Sequence, residues 1–104
     1  MSEPSRVCAV ADLLDGEPKG FKVGEVPIVL THVDGTCYAT HDVCTHAYAL
    51  LSEGFVEGHV IECPLHGAKY DVRNGKCLAV AHTDVKTYPV QVVRGDVYVT
   101  VTEP

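Results

Sequence analysis

Pro27-Ile28-Val29-Leu30-Thr31-His32-Val33-Asp34-Gly35-Thr36-Cys37-Tyr38-Ala39-Thr40 reads as two β-strands joined by a tight turn. Both flanks are rich in β-branched and aromatic residues, and Asp-Gly suits the two central hairpin positions that need a left-handed backbone. Working outward, Val90, Val92, Val97, Val99 and Val101 alternate with Gln91, Tyr98, Thr100 and Thr102 around Arg94-Gly95-Asp96, which predicts two more strands burying one face. Val7-Cys8-Ala9-Val10 and residues 20–23 are expected as edge strands, while Glu57-Gly58 and Asn74-Gly75 mark turns in a compact, polar middle section. Ala11-Asp12-Leu13-Leu14-Asp15 and residues 47–52 have room for one helical turn each. No stretch sustains a helical period, so the fold class expected is all-β.

The 104 residues, 46% apolar and 21% charged, suit one packed domain over residues 1–104, and no linker interrupts them. The opening Met1-Ser2-Glu3-Pro4-Ser5-Arg6 has no charged-then-apolar leader, and no apolar run approaches the ~18 residues of a membrane span. A cytoplasmic location without membrane contact is expected. Five cysteines are an odd number and no C-x-x-C pair occurs, so a disulfide framework is not expected. Some of the thiols should bind metal or lie buried.

The net charge of −6 argues against nucleic acid as a partner. Its distribution is uneven. Residues 23–68 contain no Lys or Arg but six acids, Glu25, Asp34, Asp42, Glu53, Glu57 and Glu62; elsewhere eight basic residues balance eight acidic ones.

The acidic segment also holds Cys44-Thr45-His46 and, after sixteen intervening residues, Cys63-Pro64-Leu65-His66-Gly67. Cys and His are two apart in the first pair and three apart in the second, spacings that suit two short loops. A chain reversal at Glu57-Gly58 brings two such tips face to face. Thiolate suits iron–sulfur, zinc or copper(I), and imidazole suits zinc and iron, so ligand type leaves the metal open. Zinc-finger spacing pairs like with like, Cys with Cys and His with His, at other separations.

The pattern resembles the C-x-H … C-x-x-H signature of Rieske [2Fe–2S] proteins. The likeness extends through Gly54-Phe55-Val56-Glu57-Gly58, Ile61-Glu62-Cys63-Pro64-Leu65-His66, Lys69-Tyr70-Asp71-Val72 and Lys86-Thr87-Tyr88-Pro89-Val90, and with the hairpin before Cys44 it covers most of the chain. It is similar to the ferredoxin components of bacterial aromatic-ring-hydroxylating dioxygenase systems. The resemblance implies a Rieske fold, an antiparallel β-sandwich with a small cluster-binding subdomain of two hairpin loops at about residues 42–83. It implies one [2Fe–2S] cluster as cofactor, with Cys44 and Cys63 on one iron and His46 and His66 on the other.

Neutral histidines leave such an oxidised cluster uncharged, where four thiolates would give it two negative charges, so electron addition is easier. Rieske centres as a class lie at about −150 to +300 mV, against about −400 mV for plant-type clusters. High-potential Rieske proteins carry an extra cysteine in each ligand loop, at places occupied here by Ala49 and Leu65. The resemblance is therefore to the low-potential branch. It also implies a third loop over the cluster, Leu78-Ala79-Val80-Ala81-His82, without the proline that relatives often have there.

Cys8, Cys37 and Cys77 are expected as small buried residues, and His32, His41, His59 and His82 as solvated or hydrogen-bonded ones. Tyr48, Pro64, Leu65 and Ala68 either pack the loops or form a dry docking centre. The chain has no G-x-G-x-x-G fingerprint and no space for the second iron site of an oxygenase. The expected function is that of an electron carrier, not an enzyme: a monomer between a flavin-dependent NAD(P)H ferredoxin reductase and a terminal oxygenase of aromatic hydrocarbon catabolism. A redox-sensing subunit and a structural zinc module are the other readings.

Overall fold

The computed structural model describes residues 3–45, 49–65, 67–81 and 83–101. Among them run β1 (Ser5–Ala9), β2 (Pro18–Val23), β3 (Val26–Val33), β4 (Thr36–His41), β5 (Phe55–Glu57), β6 (Val60–Glu62), β7 (Lys69–Asp71), β8 (Cys77–Ala79), β9 (Thr87–Tyr88), β10 (Val90–Val93) and β11 (Asp96–Val99). Single 3-10 turns at Val10–Asp12 and Leu51–Glu53 overlap the two places where the sequence allowed one helical turn, each displaced by a residue or more. The strands form three antiparallel sheets, ordered β1-β11-β10, β2-β3-β4-β9 and β5-β6-β7-β8.

The hairpin expected at Asp34-Gly35 joins β3 to β4. Both turn residues have positive φ, 50° and 80°, as a two-residue turn matched to the twist of the strands requires. The expected edge strands are β1 and β2, and each lies at the margin of its sheet.

Strand β3 has both faces covered. Ile28 and Leu30 enter a core with Cys8, Cys37, Ala39, Val97 and Val99, which fills the space between the first two sheets. Val29 points the other way, into a second core with Leu51, Ile61, Tyr70, Val72 and Val85. This double burial accounts for the unbroken apolar run in β3, since a strand with one wet face would alternate. Complete burial of an aliphatic side chain such as Ile61 or Leu51 contributes on the order of 1.5–3 kcal/mol. The middle section is therefore less polar than its turns suggest.

Near the C-terminus the two alternating strands bury their apolar faces unequally, and on β10 only Val90 packs against the first core. Val97 and Val99 of central β11 are fully buried, whereas Val92, opposite Val97 on β10, is 52% exposed. Strand β10 is an edge, and its far end runs past the core that covers β11.

Candidate metal centre

Two loops carry the cysteines expected to bind metal, and the same bond closes both. Cys44 N–H donates to Ala49 O at 2.9 Å, and Cys63 N–H donates to Ala68 O at 2.7 Å, each reaching a carbonyl five residues on. The second loop is the hairpin between β6 and β7. The first leaves β4 and is held by a bridge between Val43 and Leu50. Strands β5 and β6, reversing at Gly58, link the loops as the sequence implied.

Cys44 is 5% exposed and Cys63 1%, and both belong to the core that contains Tyr70 and Ile61. His46 and His66, the other expected ligands, lie outside the described residues, as do Tyr48 and His82. Two cysteines brought to one buried place by matching loops supply the sulfur half of a mixed sulfur–nitrogen donor set. That fits an iron–sulfur group, which needs thiolates shielded from water.

Asp42 holds the first loop in place. Its carboxylate accepts from Ser52 N–H at 2.7 Å and from Ser52 Oγ–H at 2.9 Å, and its carbonyl accepts from Leu51 N–H at 2.6 Å. Bonds to a charged acceptor contribute roughly 1.5–3 kcal/mol each when buried, and Asp42 is 5% exposed. The sequence grouped Asp42 with the acidic surface; in the structure it is an interior staple. Strand β2 passes close under this loop at Gly20, where a side-chain carbon would approach Ser52 Oγ to 2.8 Å.

Tyr70 is fully buried beneath Cys44. Its hydroxyl oxygen lies 3.4 Å from Cys44 Sγ and 2.6 Å from Thr45 Oγ1, and Thr45 Oγ1–H donates to Thr83 O at 2.9 Å. Burial, and next the bond with Cys44, push its pKa up to about 12, so Tyr70 keeps its proton at ordinary pH.

The third loop gains order without a proline. Ala81 N–H donates to Ala79 O at 2.9 Å around Val80, whose φ of 75° makes a strained three-residue turn. Cys77 Sγ–H donates to Ala81 O at 3.0 Å, and Cys77 N–H donates to Asp84 Oδ1 at 2.8 Å. Cys77 is thus half-buried and acts as a hydrogen-bonding tie as well as filler. Cys8 and Cys37 are buried apolar thiols as expected, each with its pKa raised chiefly by burial.

Of the other histidines, His41 Nδ1 accepts from Val43 N–H at 3.3 Å, and His59 stands edge-on to Tyr38 with ring centroids 5.9 Å apart. His32 differs from expectation: its Nδ1 is buried without a hydrogen-bond partner among the described residues. Ala68 is fully buried and packs the second loop, while Leu65 is 55% exposed at that loop's surface. Gly67 has a φ of 77°, which alone calls for glycine there.

Asp71, where β7 turns away from the second loop, accepts from Arg73 Nε–H at 3.0 Å and Nη2–H at 2.8 Å. These bonds hold its carboxyl below the usual carboxylate range, against the opposing effect of burial. A depressed carboxyl stabilises the fold above the unfolded-state pKa, and that stability is lost as pH falls through the folded one. Arg73→Gln is expected to move the midpoint of acid unfolding, followed by circular dichroism, to higher pH. An unmoved midpoint would show that the pair contributes nothing.

An all-β scaffold that seats two buried cysteines on matching loops defines a metal-binding domain of the iron–sulfur kind. The profile of the Rieske [2Fe–2S] domain matches residues 3–89, and the chain belongs to that family. It is 48% identical over 82 residues to the ferredoxin component of the naphthalene 1,2-dioxygenase/salicylate 5-hydroxylase systems of Ralstonia sp, covering 78% of this chain and 79% of that one. It is 46% identical over 100 residues to the 3-phenylpropionate/cinnamic acid dioxygenase ferredoxin subunit of Photorhabdus laumondii, covering 93% of each. Among solved structures, the ferredoxin of carbazole 1,9a-dioxygenase from Nocardioides aromaticivorans IC177 superposes with a TM-score of 0.90 at 32% identity, covering 92% of this chain and 95% of that one. A chain from a complex of reduced oxygenase and oxidised ferredoxin in carbazole 1,9a-dioxygenase gives 0.87 at 38% identity, covering 91% and 99%. The chain is a Rieske-type ferredoxin, an electron carrier and not an enzyme, whose cofactor is a [2Fe–2S] cluster.

Proposed function

We propose that this chain, read as one domain over residues 1–104, carries one electron at a time from a flavin-dependent NAD(P)H reductase to the terminal oxygenase of an aromatic-ring-hydroxylating dioxygenase system. Cys44, His46, Cys63 and His66 are its cluster ligands, and residues 42–83 its cluster-binding section. The observation that carries this reading is the convergence of Cys44 and Cys63 in one buried core on loops closed by the same hydrogen bond. A [2Fe–2S] cluster, when bound, supplies a one-electron redox step. The chain's residues do the rest: two thiolates and two neutral imidazoles set a low ligand charge, and Tyr70, Ile61 and Leu51 exclude water on the inner side.

Pro64 and the half-exposed Leu65 offer a small apolar contact beside the second ligand loop. A carrier must leave after each transfer, so the interface should stay below about 1,200 Å². A monomer working in the cytoplasm suits that traffic, and among the described residues no helix is long and apolar enough to cross a membrane. The family relative crystallised with its oxygenase supports the choice of partner.

The test is reconstitution. Purified holo-protein should be reduced rapidly by a flavoprotein reductase and should sustain turnover of a Rieske oxygenase; reduction without turnover would favour a sensor.

Glu53 and Glu57 are exposed and Glu62 is half-buried, all on or next to the β5–β6 hairpin between the two ligand loops. They are expected to steer the chain toward basic faces on its partners. Charge reversal at Glu53, Glu57 and Glu62 should lower the transfer rate at low salt by about tenfold or more and remove its fall with ionic strength. Stopped-flow rates across a salt series measure this, and an unchanged salt dependence would refute steering.

A further inference from the structure

Asn74 is the only asparagine in the chain, and it stands directly before a glycine. That pairing favours spontaneous deamidation, because glycine has no side chain to hinder ring closure on its nitrogen. The Gly75 nitrogen bonds to Cγ of Asn74, the Gly75 N–H gives up its proton and ammonia leaves, which forms a five-membered succinimide. Water then opens the ring at either carbonyl. One product has an aspartate at position 74. The other is isoaspartate, in which the main chain runs through the side-chain carbon and is one atom longer. Water is the only co-reactant.

The fold demands the glycine that makes Asn74 reactive. Gly75 has a φ of 76°, and a side-chain carbon there would collide with Val85 O. The same turn also holds the reaction back. Gly75 is buried and its N–H donates to Asp71 O at 2.7 Å, so the proton that must leave is already engaged and shielded from base. Asn74 is exposed, but its Oδ1 accepts from Lys76 N–H at 2.9 Å, which pins the carboxamide toward residue 76. Asp71 N–H donates to Lys76 O at 2.9 Å, and Val85 N–H donates to Gly75 O at 2.8 Å. Ring closure must break the Gly75–Asp71 bond and rotate the carboxamide away from Lys76.

We propose that Asn74 is a covalent modification site whose deamidation waits on opening of the turn between Asp71 and Lys76, and that the isoaspartyl product cannot close this turn again. The added backbone atom comes immediately before Gly75, which has no free space beside Val85 O. Modification is therefore a one-way loosening of the tie between the turn and the end of the third loop. None of this depends on which residues hold the cluster.

The Gly75 N–H reports the opening independently, since it must be released both to exchange with deuterium and to cyclise. The test ages the native holo-protein beside the same chain unfolded in guanidinium chloride, at one pH and temperature. Mass spectrometry of the peptide that contains Asn74 gives the two deamidation rates, and residue-resolved hydrogen–deuterium exchange gives the protection of the Gly75 amide. Deamidation should be slower in the folded chain by about tenfold or more. That slowing should be at least as large as the exchange protection of Gly75, because cyclisation needs the open turn and a rotated carboxamide as well.

Equal rates in the folded and unfolded chains would overturn the proposal, since the turn would then restrain nothing. A slowing smaller than the exchange protection would also overturn it, because attack would be taking place within the closed turn. So would an unfolded chain that does not deamidate. The isoaspartyl form, separated by chromatography, should melt below Asn74→Asp, which carries the same charge on a backbone of normal length and keeps an oxygen placed to accept from Lys76 N–H. Equal melting temperatures for these two would show that the lengthened turn closes after all.

Discussion

Cys63→Ala is expected to yield a colourless chain without bound iron and without measurable electron transfer, while Cys37→Ala keeps its colour and its full iron content. The two cysteines make a fair comparison because both are buried, Cys63 at 1% exposure and Cys37 at 8%, and neither substitution removes more than a sulfur atom from a core. What separates them is position. Cys37 lies between the first two sheets in the core that holds Ile28, Leu30 and Val97. Cys63 opens the loop that follows β6 and lies in the same core as Cys44. If burial were all that mattered, the two variants would behave alike. Cys44→Ala, His46→Ala and His66→Ala should match Cys63→Ala, and iron analysis with visible absorption measures all five. Full iron retention by Cys63→Ala would remove that residue from the ligand set.

The second large effect is on stability. Gly75→Ala should cost about 2–5 kcal/mol, from roughly 1–2 kcal/mol for a left-handed backbone and about 1–3 kcal/mol for overpacking. Gly75 has a φ of 76°, and a side-chain carbon there would collide with the carbonyl oxygen of Val85. The neighbour cannot easily move aside, because Val85 N–H donates to Gly75 O at 2.8 Å and Gly75 N–H donates to Asp71 O at 2.7 Å. Together these bonds tie the end of the third loop to the turn after β7. Gly95→Ala provides the control: its φ is 82°, yet nothing lies within 4 Å of the added carbon. It should lose only the backbone part, roughly 1–2 kcal/mol. For domains of up to about 100 residues each kcal/mol moves the melting temperature by roughly 4–8 °C, so the two variants are readily separated by thermal unfolding. Equal losses at Gly75 and Gly95 would mean that the turn relaxes around Val85.

These outcomes also mark where reading the residues in order succeeds and where it stops. The Asp34-Gly35 hairpin was legible because a two-residue turn has a local chemical signature, and the loop character of the Cys44 and Cys63 segments because Cys/His spacing within a short loop is also local. The double burial of β3 was not, since the covering of Val29 depends on where the distant Leu51 and Tyr70 come to rest. Asp42 shows the same limit: six acids in a segment without Lys or Arg look like one surface, and only the fold reveals that Ser52 has taken this one inside. Val92 fails in the opposite direction, for alternation signals an amphipathic strand but not whether anything covers its apolar face. Cys77 looked like filler because the carbonyl it serves, Ala81 O, is presented by an irregular turn around Val80.

Nitrogen-15 labelling of histidine, followed by pulsed electron paramagnetic resonance of the reduced protein, tests the assignment of two thiolates and two imidazoles to one [2Fe–2S] cluster most directly. Couplings to two histidine nitrogens in the native chain are the expected result. A reduced cluster with no histidine nitrogen coupled to it, or a chain that takes up neither iron nor sulfide under anaerobic loading, would contradict the assignment.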